Sequence, residues 1–146
     1  MIEQWQLVPI FAGLDDDTLR LLVERAVPAE FPAGHVIVRE GALGNRLFLI
    51  NSGMVRVSKN FGTPEQVQLA LMQPGDHFGE MCILEPMPRS ATVQAVTDTK
   101  LSGLSAMVFL ELYEKMPKQY GLLLLNIARD LSRRLRKLDT TFAGRH

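Results

Sequence analysis

The residues best suited to bind a small molecule fall within one stretch of the chain, from Pro74 to Ala95. Arg89 carries a planar guanidinium whose paired N–H donors match the oxygens of a phosphate group. Gly79 has no Cβ, so the backbone there can turn tightly and approach a ligand closely. The Glu80 carboxylate is a poor partner for phosphate but a good acceptor for a sugar hydroxyl. One basic, one acidic and several amide groups in one stretch therefore suit a sugar phosphate.

The elements around Arg89 are expected to hold it in place. Residues 80–84 are apolar enough for one helical turn, whose first backbone amides would form a small anion-binding end. Two prolines then end that turn and favour an extended backbone just before Arg89. Ser90 and the backbone amide of Ala91 add two donors beside the guanidinium. The residue types alone leave one alternative open, a structural ion pair between the glutamate and the arginine.

A chain of 146 residues is about one domain long, and three regions can be distinguished in it. Residues 1–30 hold one amphipathic helix with an acidic start at Asp15. Residues 31–104 alternate short β-forming runs with turn signals, which is typical of an antiparallel sandwich or barrel. Residues 105–142 are helical, and Pro117 divides them into a short and a long helix. The β-forming runs are His35–Arg39, Leu47–Ile50, Met54–Ser58, Gln66–Met72, Ala91–Val96 and Lys100–Leu104.

The long C-terminal helix has two apolar sides. One is a heptad seam, a spacing that favours pairing with another helix. The seam consists of Leu124, Ala128, Leu131, Leu135, Leu138 and Phe142. The other side, which would pack on the β region, includes Leu123, Leu125 and Ile127. We therefore predict that this helix joins two copies of the chain in a parallel homodimer, the alternative being that the seam packs within its own domain.

The composition excludes several classes of function. Sixteen basic and sixteen acidic residues cancel, so we expect no DNA binding by this chain alone. The single cysteine excludes a disulfide framework and a four-cysteine zinc site within one chain. The three histidines lack the spacing that the metal site of a cupin-type enzyme needs. No signal peptide and no membrane-spanning run is visible, so we predict a cytoplasmic location.

Two motifs in the candidate stretch are recognisable. The sequences FGE at Phe78–Glu80 and PRSATV at Pro88–Val93 resemble the phosphate-binding cassette of cyclic nucleotide-binding domains, which here covers residues 78–91. The nine-position interval from Glu80 to Arg89 is similar to that of the kinase and channel members of the family. Glycines at 34, 41 and 53 match its recurring glycines. The resemblance covers nearly all of the chain and implies an antiparallel, jelly-roll-like β-roll, mainly β with flanking helices.

The resemblance also implies roles for individual residues. Arg89 would neutralise the cyclic phosphate, and Glu80 would bind the ribose 2′-hydroxyl. The backbone amides that would complete the cradle are those of Gly79, Ser90 and Ala91. The residues that would form the apolar wall are Val57, Leu69, Phe78 and Met81.

Recognition of the base is less completely matched. In many members of the family the last helix closes over the base, and Arg134 stands where the activator members have an arginine. The hydroxylated pair that those activators use on adenine is replaced here by Leu138 and Asp139. A threonine directly after the cassette arginine often accompanies a preference for cyclic GMP, and Ser90 lacks the methyl that fixes a threonine rotamer. The expected ligand is therefore cyclic AMP, with cyclic GMP as the second candidate.

These features predict a sensor module without catalytic activity, because no activated nucleophile and no substrate-flanking carboxylate pair is evident. Two alternatives remain. One is a docking domain that binds no ligand, and the other is the sensor fragment of a transcription factor without its DNA-binding domain.

Overall fold

The computed structural model describes residues 2–85 and 87–143, without the side chains of Cys82 and residues 139–143. The order of elements confirms a mainly β domain with helices at both ends. The elements are α1 (Ile2–Gln6), a 3₁₀ helix (Pro9–Phe11), α2 (Asp16–Arg25), β1 (Val27–Phe31), β2 (Val36–Val38), β3 (Arg46–Ser52), β4 (Val55–Lys59), β5 (Val67–Met72), β6 (His77–Phe78), α3 (Met81–Leu84), β7 (Thr92–Ala95), β8 (Thr99–Ser105), α4 (Ala106–Lys115) and α5 (Pro117–Ala143).

The N-terminal region holds more structure than the single predicted helix. That helix is α2, whose first turn is capped by Asp15, which accepts a 2.8 Å hydrogen bond from the Thr18 amide. Hydrogen bonding to Thr18, through its side chain and then its backbone amide, lowers the pKa of the Asp15 carboxyl. The five-residue α1 carries no repeating pattern, and burial of Trp5 against Phe11, with ring centroids 5.3 Å apart, holds it in place. Tertiary packing, rather than a local sequence pattern, therefore stabilises the helix α1.

The strands form two antiparallel four-stranded sheets, which confirms the predicted β-roll. Their orders are β1-β8-β3-β6 and β2-β7-β4-β5. Two strands were not predicted. β1 lies in the region expected to be helical and pairs with β8 over its whole length, although Pro28 and its exposed side chains gave no strand signal. β6 has only two residues, too few for an alternating pattern.

Two apolar clusters hold the domain together. The first fills the space between the sheets and includes the stacked rings of Phe48 and Phe78, 5.3 Å apart. The second joins the helices to the β-roll, with Leu123 and Ile127 of α5 fully buried in it. The buried Asn126 side chain donates hydrogen bonds to the carbonyls of Ile10 and Ala12, at 3.0 and 2.9 Å. The first half of α5 is thereby fixed to the N-terminal segment.

The predicted heptad seam of α5 lies largely on the outside of the domain. Leu135 is 62% exposed and Leu138 is 55% exposed. Leu131 is half-buried and packs against the core of its own domain, while the Phe142 side chain lies outside the described residues. Within the described part of the chain, no helix is both long enough and apolar enough to cross a membrane.

Candidate functional site

A cavity of about 200 Å³ lies between the sheet β2-β7-β4-β5, the segment that joins β6 to β7, and α5. It brings together nine of the ten residues predicted from the sequence. These are Val57, Phe78, Gly79, Glu80, Met81, Arg89, Ser90, Ala91 and Arg134. Residues on two strands, on the segment that joins β6 to β7 and on the last helix therefore meet around one space.

Leu69 does not line the cavity, and its side chain is 57% exposed. The pairing of β4 with β5 places Ala70, not Leu69, opposite Val57 of the cavity wall, and a β-bulge follows it. Val57 pairs with Ala70, whereas the next residue, Ser58, pairs with Gln68, so Leu69 is the extra residue on its strand. Met72 supplies the side chain from β5 that lines the cavity.

Six lining residues were not among the predicted ligand-binding residues, although two of them belong to the PRSATV motif: Val38, Gly44, Met72, Met87, Pro88 and Val93. Val93 lies between Val38 on β2 and Val57 on β4 in the pairing of the strands. The period-two alternation of the predicted strands could have placed these three valines on one face. No comparable signal marks Gly44, Met72 or Met87.

The Arg89 side chain is held against backbone on two sides. Its Nη2 donates a 3.0 Å hydrogen bond to the carbonyl of Arg46. A Cβ built on Gly44 or on Gly79 would collide with the guanidinium, so both positions need glycine for Arg89 to lie where it does. The Arg89 backbone is itself fixed by two 2.8 Å hydrogen bonds: its N–H donates to the carbonyl of Ala42, and its carbonyl accepts from the N–H of Gly41. The guanidinium is therefore positioned before any ligand arrives.

No carboxylate among the described residues pairs with Arg89, so its charge is balanced by carbonyl oxygen alone. The structural ion pair with Glu80 that the sequence left open is not formed. A partly buried cation without a counter-ion favours an anion beside it.

Glu80 is only 6% exposed and has a different partner. Its Oε1 accepts a hydrogen bond of 3.2 Å from Nη1 of Arg134 on α5. Gly79 precedes it with a φ of +87°, a conformation that favours glycine and turns the Glu80 side chain towards the cavity. The sequence placed both residues in one site but did not predict their direct contact.

Two further charged groups meet Glu80 and Arg134. Nη2 of Arg134 lies 2.9 Å from Oδ2 of Asp130, one turn earlier on α5. His77 on β6 is buried, and its Nε2 lies 3.7 Å from Asp130 Oδ2 and 3.9 Å from Glu80 Oε2. Neither His77 nor Asp130 was a predicted site residue.

Comparison with known proteins identifies the architecture that these residues share. The model of the family described as the cyclic nucleotide-binding domain matches residues 28–116, more than half of the chain. The chain belongs to the cyclic nucleotide-binding domain family. The cavity of this cyclic nucleotide-binding domain lies where the two recognised motifs, FGE and PRSATV, come together.

Relatives and solved structures agree with this assignment. The domain is 37% identical over 131 residues to the cyclic AMP receptor protein of Thermus thermophilus, covering 90% of this chain and 59% of that protein. It is 30% identical to a CRP-like cAMP-activated global transcriptional regulator of Mycobacterium tuberculosis, over 92% of this chain and 58% of the relative. A crystal structure of a cyclic nucleotide-binding domain from Methylobacillus flagellatus superposes with a TM-score of 0.85 at 26% identity, covering 99% and 82% of the two chains.

The chain therefore spans about three fifths of the length of the two curated relatives. One of these relatives is named as a receptor and the other as a regulator.

Proposed function

We propose that this domain binds a 3′,5′-cyclic nucleotide in the cavity between β4, β7 and α5. One observation carries the proposal: the pre-positioned, unpaired guanidinium of Arg89 lies against Gly79, the residue next to the buried Glu80 carboxylate. A cyclic nucleotide offers an anionic phosphate and a ribose hydroxyl a few bonds apart. The two side chains offer a complementary cation and acceptor in the same cavity.

In this arrangement Arg89 neutralises the cyclic phosphate and Glu80 accepts a hydrogen bond from the ribose 2′-hydroxyl. The backbone amides that complete the phosphate cradle are those of Gly79, Ser90 and Ala91, and all three residues line the cavity. The apolar wall is formed by Val57, Phe78, Met81 and Met72. Met72 takes the place in this wall for which Leu69 was predicted.

The proposed ligand is cyclic AMP, with cyclic GMP as the runner-up. Two relatives carry cyclic AMP in their names. Ser90, the residue after the cassette arginine, has a hydroxyl but no methyl to fix its rotamer, so it is a weak selector for guanine. The Asp139 side chain, expected near the base, lies outside the described residues.

We further propose that the domain acts as a sensor without catalytic activity and that α5 joins two copies in a parallel homodimer. The exposed Leu135 and Leu138 support the pairing, because two leucines near the end of one helix face are costly to leave in water.

A docking domain that binds no ligand is disfavoured, because such a domain has no need of a pre-positioned guanidinium without a counter-ion. A cytoplasmic location and the lack of DNA binding by this chain alone stay predictions.

Calorimetric titration with cyclic AMP, cyclic GMP and linear AMP tests the proposed function. We expect saturable binding of one molecule per chain, with cyclic AMP bound more tightly than cyclic GMP and linear AMP bound most weakly. Tighter binding of cyclic GMP would reverse the base preference and leave the site in place. Failure of both cyclic nucleotides to bind at millimolar concentration would refute the proposed function.

A further inference from the structure

Four charged or titratable side chains form a connected group beneath the cavity, which we call the His77 cluster. Its members are His77 on β6, Glu80 before α3, and Asp130 and Arg134 on α5. His77 is 3% exposed and Glu80 is 6% exposed. The cluster therefore connects Glu80, the residue proposed to hold the ribose, with α5, the helix that the family resemblance places over the base.

The cluster contains an unsatisfied buried nitrogen. Nε2 of His77 has no hydrogen-bond partner among the described residues, although two carboxylates face it at 3.7 and 3.9 Å. Oδ2 of Asp130 also lacks a hydrogen bond, although Nη2 of Arg134 lies 2.9 Å from it as an ion pair. Buried polar atoms are nearly always hydrogen-bonded, so each exception needs an explanation. A hydrogen on Nε2, which the neutral ring carries in one of its two tautomers and the imidazolium always carries, would satisfy both atoms after a movement of about 1 Å.

The charges of the cluster do not balance while His77 is neutral. Two carboxylates share one guanidinium, and Arg134 contacts both of them. Burial is the main cause that lowers the pKa of His77, and Arg134 lowers it as well. Glu80, Asp130 and Asp76 act in the opposite direction. Arg134 and a protonated His77 are therefore competing cations for the same two carboxylates.

We propose that His77 is a positioning residue for ligand binding. Once protonated to the imidazolium, it pairs through Nε2 with Glu80 and Asp130 in place of Arg134, and Arg134 is then free to contact the ligand. The inference rests on the proposed function, because it needs a ligand that contacts Glu80. An imidazolium between two carboxylates keeps both of them paired. The guanidinium is then free to turn towards the anionic ligand in the cavity that it lines.

This arrangement makes binding dependent on pH in a defined direction. A bound nucleotide brings a negative charge and draws Arg134 away, and both changes favour the protonated imidazole. The domain then takes up a proton when it binds the ligand. By linkage, affinity rises as the pH falls through the range in which His77 of the complex becomes protonated.

The test is a calorimetric titration with cyclic AMP at about pH 7.5 and about pH 5.5, each in two buffers of different ionisation enthalpy. We expect the wild type to bind roughly threefold to tenfold more tightly at the lower pH and to take up protons on binding. His77→Phe and His77→Gln should abolish both effects. Asp130→Asn, which removes one carboxylate without filling the cavity, should diminish them. His35→Gln is the matched control, because His35 is exposed and lies outside the cavity.

The outcomes separate the two proposals. Binding with equal affinity at both pH values, or a pH dependence that persists in folded His77→Phe and His77→Gln proteins, overturns the role of His77 and leaves the proposed function intact. If cyclic AMP and cyclic GMP bind at neither pH, the proposed function fails and the role of His77 fails with it. Should His77→Phe not fold, His77→Gln and Asp130→Asn decide the question by the same two readouts.

Discussion

Nη1 of Arg134 lies 3.2 Å from Oε1 of Glu80, so the last helix is tied directly to the buried carboxylate of the cavity. A ribose hydroxyl that reaches Glu80 must share this carboxylate with Arg134 or displace it. The contact therefore links the proposed ligand site directly to the position of α5, the helix whose exposed leucines are proposed to pair with a second copy.

Replacing Arg89 by leucine should weaken cyclic nucleotide binding more than any other single change. The bound phosphate would lose its only side-chain cation in the cassette, and breaking a buried charge pair costs about 3–5 kcal/mol. Affinity should fall roughly a hundredfold to a few thousandfold, measured by calorimetry. Arg20→Leu on the surface of α2 is the matched control and should bind as the wild type does. A folded Arg89→Leu protein with wild-type affinity would contradict the assignment.

Replacing Glu80 by glutamine should have a smaller effect, because it weakens a hydrogen bond without leaving a charge unpaired in the ligand. A hydrogen bond to a charged group is worth about 1.5–3 kcal/mol. The sharper measurement compares cyclic AMP with 2′-deoxy cyclic AMP in both proteins. Loss of the hydroxyl should reduce affinity for the wild type and change little for Glu80→Gln. Equal losses in the two proteins would show that Glu80 does not contact the 2′-hydroxyl.

Replacing Gly44 by alanine should disturb the guanidinium without touching its charge. The added Cβ collides with three atoms of Arg89, which must move away from the carbonyl of Arg46. We expect a loss of affinity of about tenfold or more, since pre-positioning is lost. Gly121→Ala, in open space on α5, is the control and should leave affinity unchanged. Unaltered binding by Gly44→Ala would show that the observed position of the guanidinium is not required.

Stability of the ligand-free domain should fall on acidification because of His77. Burial lowers the pKa of this histidine below its ordinary value of 6.5, so the unfolded chain binds a proton more readily than the folded domain does. The contribution of His77 to the free energy of unfolding is therefore fully present above pH 6.5 and decreases as the pH falls below 6.5. The midpoint of thermal unfolding should drop by at least about 2 °C between pH 7.5 and pH 5.5. His77→Phe should reduce this drop, and His35→Gln should not.

The exposed end of α5 should mediate self-association. Leu135 and Leu138 can be changed without touching the core, whereas Leu131 packs against its own domain and is unsuitable for this test. Leu135→Glu combined with Leu138→Glu should convert a dimer to monomers in analytical ultracentrifugation. The control Leu7→Glu changes an even more exposed leucine at the other end of the chain. A wild-type monomer at high micromolar concentration, with and without ligand, would rule the dimer out.

The site residues that could be predicted from the sequence are those that lie close together along the chain. The residues from Phe78 to Ala91 could be predicted because the cassette is almost contiguous, and its glycine and arginine are the two parts of one steric arrangement. Leu69 could not be placed correctly, because the alternation within β5 does not show which of its residues pairs with Val57, and the structure pairs Ala70 with it. His77 and Asp130 are far apart in the sequence and come together only in the folded chain, so no local sequence pattern predicts their contact.

The same distinction holds for the fold. Runs with clear alternation became strands, whereas β1 was missed because its pairing with β8 depends on a partner far along the chain. The helix α1 was missed for a similar reason, since Trp5 is buried by residues beyond its own turn.

The double hydrogen bond from Asn126 to Ile10 and Ala12 has a consequence for local unfolding. It makes the N-terminal segment and the first half of α5 one cooperative unit, since neither can open while the buried amide keeps its partners. Backbone amides of the two segments should therefore exchange with deuterium at similar free energies of opening. Along residues 132–138, Arg134 is the one residue that is not exposed. Amides of that stretch should exchange sooner, and their protection should rise when the proposed nucleotide and the proposed second copy cover the helix.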